Sequence, residues 1–116
     1  SLKTAILNYD KVKTKNAKKY LILGDMLELG IHSKKLHESL SPVINRTNIH
    51  KVFVRGKEIF HLYNKISKPK KGTILENKLQ IKDLIDRNLD NNDFLMIKAS
   101  NATGFNKIVK ELKGTN

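Results

Sequence analysis

The sequence has no cysteine, only two prolines, 6% aromatic residues and no apolar run beyond five residues. Without cysteine there is no disulfide framework, no thiolate zinc site and no thiol nucleophile, a pattern that suits a reducing cytoplasm. Apolar runs this short fall far below the roughly 20 residues of a spanning helix, and nothing resembles a signal peptide, so no membrane partner is expected. A G-x-x-x-x-G-K-[ST] phosphate loop is also missing: Gly56-Lys57 is followed by Glu58 and has no upstream glycine. No nucleophile-elbow pattern occurs either, which removes Ser-His-Asp catalysis.

Acidic residues are scarce as well, 11 against 23 lysines and arginines, for a formal charge of +12. Such a surplus favours phosphate contacts with nucleic acid, but several features argue against a specific interaction. Lysine outnumbers arginine 20 to 3, and the chain is rich in Ile and Asn and poor in Ala, as an A/T-rich genome would bias it. The dense runs 11–19 and 65–71 fall between periodic segments and read as solvated loops. No aromatic is interleaved with them to stack single-stranded bases. Any nucleic-acid affinity is therefore expected to be non-specific and salt-sensitive.

What is present is an alternation of helical and strand patterns over 116 residues, the size of one domain, as in a parallel sheet with crossover helices. Leu2, Ala5, Ile6 and Tyr9 have helical spacing, so the chain opens within a βα unit. A strand follows over 20–23, then a helix over 33–44 with Ser33 as N-cap and Pro42 shortening or kinking its end. Next come a strand over 51–54, a helix over 57–66 and a short strand over 73–75. Leu79, Ile81, Leu84, Ile85 and Leu89 line a further helix; Asn91-Asn92-Asp93 is a break, 94–97 a last strand and 104–112 a last helix.

The most informative segment is Tyr20 to Gly30. Four apolar or aromatic residues in a row suit a strand covered on both faces, and Gly24 lets the backbone turn at its carboxyl end. Open α/β sheets bind ligands beyond the carboxyl ends of their strands, which makes Asp25 and Glu28 candidate site residues. The competing structural role is that Asp25 caps the turn and Glu28 is solvated. Lys98, Ser100 and Asn101 offer a cation, a hydroxyl and an amide just ahead of a predicted helix start, where anions are favoured. The alternative there is a surface lysine and a helix cap. His32 and His37 are five apart and so on different helical faces, and His50 and His61 lack a carboxylate at ligand spacing, so no metal site is expected.

Gly24-Asp25-Met26-Leu27-Glu28-Leu29-Gly30, with Leu36-His37 on the next helix, resembles the C-terminal domain of the Mur ligases. The similarity continues through Val52-Phe53-Val54-Arg55-Gly56-Lys57 to Phe94-Leu95-Met96-Ile97-Lys98-Ala99-Ser100-Asn101, and so covers nearly the whole chain. Ala99 stands where the family commonly has glycine. The first block is fairly specific; the other two would be weak alone. The resemblance implies an α/β fold, a Rossmann-like three-layer sandwich with a mostly parallel sheet, and makes residues 1–116 one C-terminal domain without the N-terminal and central domains. It implies that an Asp-x-Tyr-Asn-Ala-Asn-Pro signature would stand just before the first helix, and that His37 borders the cleft.

The branch it resembles uses ATP to phosphorylate the terminal carboxylate of a UDP-muramoyl tripeptide. The amine of D-Ala-D-Ala then attacks the acyl phosphate, and a peptide bond forms as phosphate leaves. The family assigns the UDP-sugar to the N-terminal domain, ATP and Mg2+ to the central one, and closure with presentation of the amine substrate to the C-terminal one. Lys98, Ser100 and Asn101 would then clamp a carboxylate, while Asp25 and Glu28 would orient the amine or contact the nucleotide. The expectation is a monomeric cytoplasmic enzyme whose catalytic residues lie outside this chain, leaving the chain inactive alone and without a tightly bound cofactor. Two other classes share the pattern: a flavodoxin- or receiver-like module, which would want an acidic cluster or phosphate loop at the first strand end, and a basic nucleic-acid-binding domain.

Overall fold

A computed structural model describes residues 1–27 and 29–100 together with Gly104, Lys107 and Lys110. Its centre is β1 (Lys19–Gly24), buried along its whole length because strands flank it on both sides and helices cover both faces. The four described strands run in the order β3-β2-β1-β4, all parallel, with β2 Lys51–Arg55, β3 Lys71–Ile74 and β4 Phe94–Lys98. Leu23 pairs with Val54 on one side and Lys98 on the other, which aligns the carboxyl ends of the three strands.

The pleat sorts the strand residues between two cores. Leu21, Leu23, Val52 and Val54 face α1 (Leu2–Asp10), α2 (Ser33–Ser39), α3 (Ser41–Asn45) and α4 (Phe60–Tyr63), joining Ile6, Tyr9, Leu40, Ile44 and Leu62. Tyr20, Ile22 and Phe53 point the other way, onto Leu75 just after β3 and onto Ile81 and Leu84 from α5 (Lys78–Asp83) and the π-helical turn Leu84–Asn88 that prolongs it. Each fully buried aliphatic side chain contributes roughly 1.5–3 kcal/mol. The three-layer arrangement matches the fold expected from the sequence.

Local departures from the expected elements have identifiable causes. The helix expected over 33–44 breaks at Leu40, with Pro42 in the first turn of α3, where its missing N–H has no partner to lose. Ser33 is not an N-cap: a 3-10 turn, Gly30–His32, already leads into α2, and the Ser33 hydroxyl faces His37 instead. The helix expected over 57–66 contains one α turn, α4, extended by i to i−3 bonds such as Lys65 N–H to Leu62 O. Leu79 was grouped with the apolar face of α5 but is 73% exposed, while Ile81 and Leu84 carry that face. Asn77 and Gln80 close a capping box at the start of α5. The expected helix over 104–112 lies largely outside the described residues.

The basic runs are not wholly solvated loops. Lys19 is 2% exposed at the start of β1 and donates to Asp10 O (2.7 Å) and Asn48 Oδ1 (3.2 Å). Lys70 donates to Thr47 O and Ile49 O, each at 2.7 Å. Both ammonium groups stay within the fold because helix ends leave carbonyls there without backbone partners.

Candidate functional site at the carboxyl edge of the sheet

The chain leaves β1 at Gly24, whose φ is not positive; among the described residues the left-handed glycines are Gly30, Gly56 and Gly104. The turn is held by ties to other elements. The Asp25 carboxylate accepts the Ile59 N–H at 2.7 Å through Oδ1 and the Lys57 N–H at 3.2 Å through Oδ2, fastening it to the loop after β2. The Asp25 carbonyl accepts the Ser100 N–H at 3.1 Å, fastening it to the loop after β4. On the helix side, the Met26 N–H donates to His37 Nε2 at 3.2 Å, while His37 Nδ1 lies 2.8 Å from the Ser33 carbonyl. These partners fix the tautomer: Nδ1 carries the proton and Nε2 accepts.

His37 is fully buried, so it supports the cleft from beneath rather than bordering it. The i, i+4 spacing of Ser33 and His37 was a signal for this pairing. Gly56, named from the sequence only as part of a resembling block and of a pair without a phosphate loop, has φ +131°, and a Cβ there would fall 2.3 Å from Asp25 Oδ1. Its place directly after β2 and opposite the Gly24-Asp25 turn was the available sign.

Two hollows flank this turn and share Leu27 as the ridge between them. One, about 320 Å³, is lined by Met26, Lys98, Ala99 and Ser100 together with Ser1 and Leu2. The other, about 630 Å³, is lined by Asp25, Arg55, Gly56, Lys57, Leu75 and Glu76. Of the candidates named from sequence, Asp25, Lys98 and Ser100 therefore come together at one edge, with Asp25 and Ser100 in direct backbone contact. Glu28 and Asn101 lie outside the described residues. Ala99 packs against the second core and lines the smaller hollow.

A further concavity at the opposite edge is lined by Lys18, Lys19, His50 and Lys70 among others. Burial there pushes the Lys70 ammonium below its ordinary range, with Asp10 acting the other way. Burial, then Lys18 and Lys51, push His50 down. The Asp93 carboxylate beside it is held down by the N–H groups of Lys18 and Asp90. Among the described residues no group of three His, Asp or Glu is placed to hold a metal ion, and no helix is long and apolar enough to cross a membrane.

No family model matches the chain. It is similar to the UDP-N-acetylmuramoyl-tripeptide--D-alanyl-D-alanine ligase of Rickettsia prowazekii, 34% identical over 113 residues, which cover 94% of this chain and 24% of that protein. The ligase of the same name from Bacillus subtilis is 33% identical over 98 residues, 82% of this chain and 21% of the relative. A crystal structure of MurF ligase from Thermotoga maritima in complex with ADP superposes with a TM-score of 0.74 at 26% identity, over 96% of this chain and 25% of that one. The chain thus spans about a quarter of the length of the relatives it matches. Sequence likeness across nearly the whole chain and the shared fold place it in the Mur ligase family, as a C-terminal domain of the MurF type.

Proposed function

We propose that this chain is the closing domain of an ATP-dependent ligase that joins D-Ala-D-Ala to UDP-N-acetylmuramoyl-tripeptide during peptidoglycan precursor synthesis. The observation that carries the reading is the carboxyl edge itself. Lys98 and Ser100 stand beside the Asp25-Met26 turn, which α2, the loop after β2 and the loop after β4 hold from three sides. Pre-positioning of this kind suits a reaction in which an amine must be aimed at an acyl carbon. The relatives' names supply the substrates, and the ADP of the Thermotoga structure supports nucleotide use by the full enzyme.

ATP and Mg2+ would be held chiefly by the central domain, because this chain carries no phosphate loop. This domain would contribute Lys98 and Ser100, with Asn101, to anionic groups of the ligands, and Asp25 and Glu28 to the substrate amine or the nucleotide. With soluble nucleotide-linked substrates, such an enzyme would act in the cytoplasm, and the expected form is a monomer. Part of the lysine surplus is used within the fold, since Lys19 and Lys70 are engaged with main-chain carbonyls.

In the full-length ligase, Lys98→Met keeps the stem and deletes the charge. Loss of one charge-assisted contact is expected to cost roughly 1.5–3 kcal/mol, or about tenfold to a hundredfold in kcat/KM, with the dipeptide or ATP as varied substrate. Unchanged kinetics would shift the cleft to the Asp25 turn. The 116-residue chain alone is expected to show no ATP hydrolysis or ligation, and turnover by the purified chain would overturn the assignment of catalysis to other domains.

A further inference from the structure

The two hollows beside Leu27 differ in charge. Of the described residues lining the smaller one, only Lys98 carries a charged side chain. The larger one sets Arg55 and Lys57 against Asp25 and Glu76, two cations and two carboxylates whose formal charges cancel. A polyphosphate is drawn to net positive charge, whereas a small zwitterion needs both signs a few ångströms apart. Two residues of extended chain span about 7 Å, and about 630 Å³ is ample for a dipeptide.

Arg55 is already oriented for such a role. It ends β2 opposite Gly24, and its Nη1 donates to Leu75 O at 3.2 Å, which fixes one side of the guanidinium and leaves further donors in its planar fork. The Asp25 carboxylate is likewise anchored by the Lys57 and Ile59 N–H groups, and Gly56 between Arg55 and Lys57 presents no side chain to the wall. Neither charge has to be ordered when a ligand arrives.

We infer that Arg55, assisted by Lys57, binds the carboxylate of the dipeptide substrate in the larger hollow, with the ammonium end directed to the Asp25 and Glu76 side, and so determines specificity for an amine substrate bearing a free carboxylate. This rests on the ligase reading and deepens it. It leaves the Lys98 hollow to phosphate groups, so the two anions of the reaction are separated by the Leu27 ridge.

The test uses the full-length ligase with D-Ala-D-Ala and its C-terminal amide as competing amine substrates, and ATP varied separately. The wild type is expected to prefer the free acid by about tenfold to a hundredfold in kcat/KM, the worth of a charge-assisted contact. Arg55→Met should bring the acid-to-amide ratio below about threefold by raising KM for the acid, with KM for ATP unchanged. Arg55→Lys, which keeps a cation but loses the fork, should retain part of the ratio. Lys57→Met, at an exposed side chain, should lower it about two- to fivefold without the hazard of a folding defect. The inference is overturned if the variants slow acid and amide equally, or if the loss falls on KM for ATP, which would assign the pair to a nucleotide phosphate. A wild-type ligase that does not couple the dipeptide at all overturns the ligase reading itself, and this inference with it.

Discussion

The two edges of the sheet differ in where ammonium groups tie the loops. At the carboxyl edge most of the side chains that tie the loops are acceptors: the Asp25 carboxylate takes the N–H groups of Lys57 and Ile59, and His37 Nε2 takes that of Met26, with Arg55 donating to the Leu75 carbonyl. At the amino edge donors join acceptors: Lys19 reaches the carbonyl of Asp10, Lys70 those of Thr47 and Ile49, and the Tyr9 hydroxyl that of Tyr20, while the Asp10 and Asp93 carboxylates accept the N–H groups of Asn48, Lys18 and Asp90. The parallel topology produces the difference. Every crossover helix begins near the carboxyl edge with unpaired N–H groups and ends near the amino edge with unpaired carbonyls. Anions are therefore at home at one edge and ammonium groups at the other. Lys19 and Lys70 are absorbed at the edge where helices end, while Arg55, Lys57 and Lys98 stand at the edge where ligands of such sheets bind.

The largest expected effect tests how tight the acceptor clasp is. Gly56→Ala places a Cβ 2.3 Å from Asp25 Oδ1 at φ +131°. Positive-φ strain and disruption of the clasp together should cost about 3 kcal/mol or more, seen as a lower urea midpoint with an unchanged slope. Asp25→Ala, which leaves the Lys57 and Ile59 N–H groups without their acceptor, should cost about 2–3 kcal/mol. Should Gly56→Ala be neutral, the loop after β2 yields easily and the carboxyl edge is not the rigid one.

The sheet itself was legible because alternation and short apolar runs report burial directly. The 20–23 run marked the central strand, and Pro42 marked a helix break. The contacts across the site were not legible, for a physical reason. The partners of Asp25, the N–H groups of Lys57, Ile59 and Ser100, are backbone atoms 32, 34 and 75 residues away in sequence, which no side-chain pattern encodes. Lys19 and Lys70 were misread for a related reason: composition counts a lysine as solvated charge, whereas a helix end can give its ammonium group a place inside the fold. Arg55 was named only within a resembling block, because its significance depends on the Asp25 and Glu76 carboxylates sharing its hollow, which the pairing of β2 with both β1 and β3 establishes.

At the amino edge the expected losses are smaller. Lys19→Met retains the buried stem and removes the donor, leaving the Asp10 carbonyl and Asn48 Oδ1 to water or to each other's neighbours. The expected cost is about 1–2 kcal/mol by chemical denaturation. A loss as large as that of Asp25→Ala would erase the contrast between the edges and show the donor clasp to be equally important.

The smallest effect comes from Tyr9, whose hydroxyl donates to the Tyr20 carbonyl at 2.7 Å. Tyr9→Phe should cost about 1 kcal/mol near neutral pH, the net worth of one hydrogen bond. The alkaline limb sharpens the comparison further. Burial pushes the Tyr9 phenol up from 10.0 to about 12, so between those values the unfolded chain gives up a proton that the folded chain keeps. Fewer protons are then bound in the unfolded state, and stability falls as pH rises through that interval. The contribution is complete below pH 10 and lost by about pH 12. The chain should lose stability over this window more steeply than Tyr9→Phe, in which the group is absent, so that the two curves meet within it. Parallel curves would mean that the phenol ionises as readily in the fold as in water, and that the amino edge does not depend on this donor.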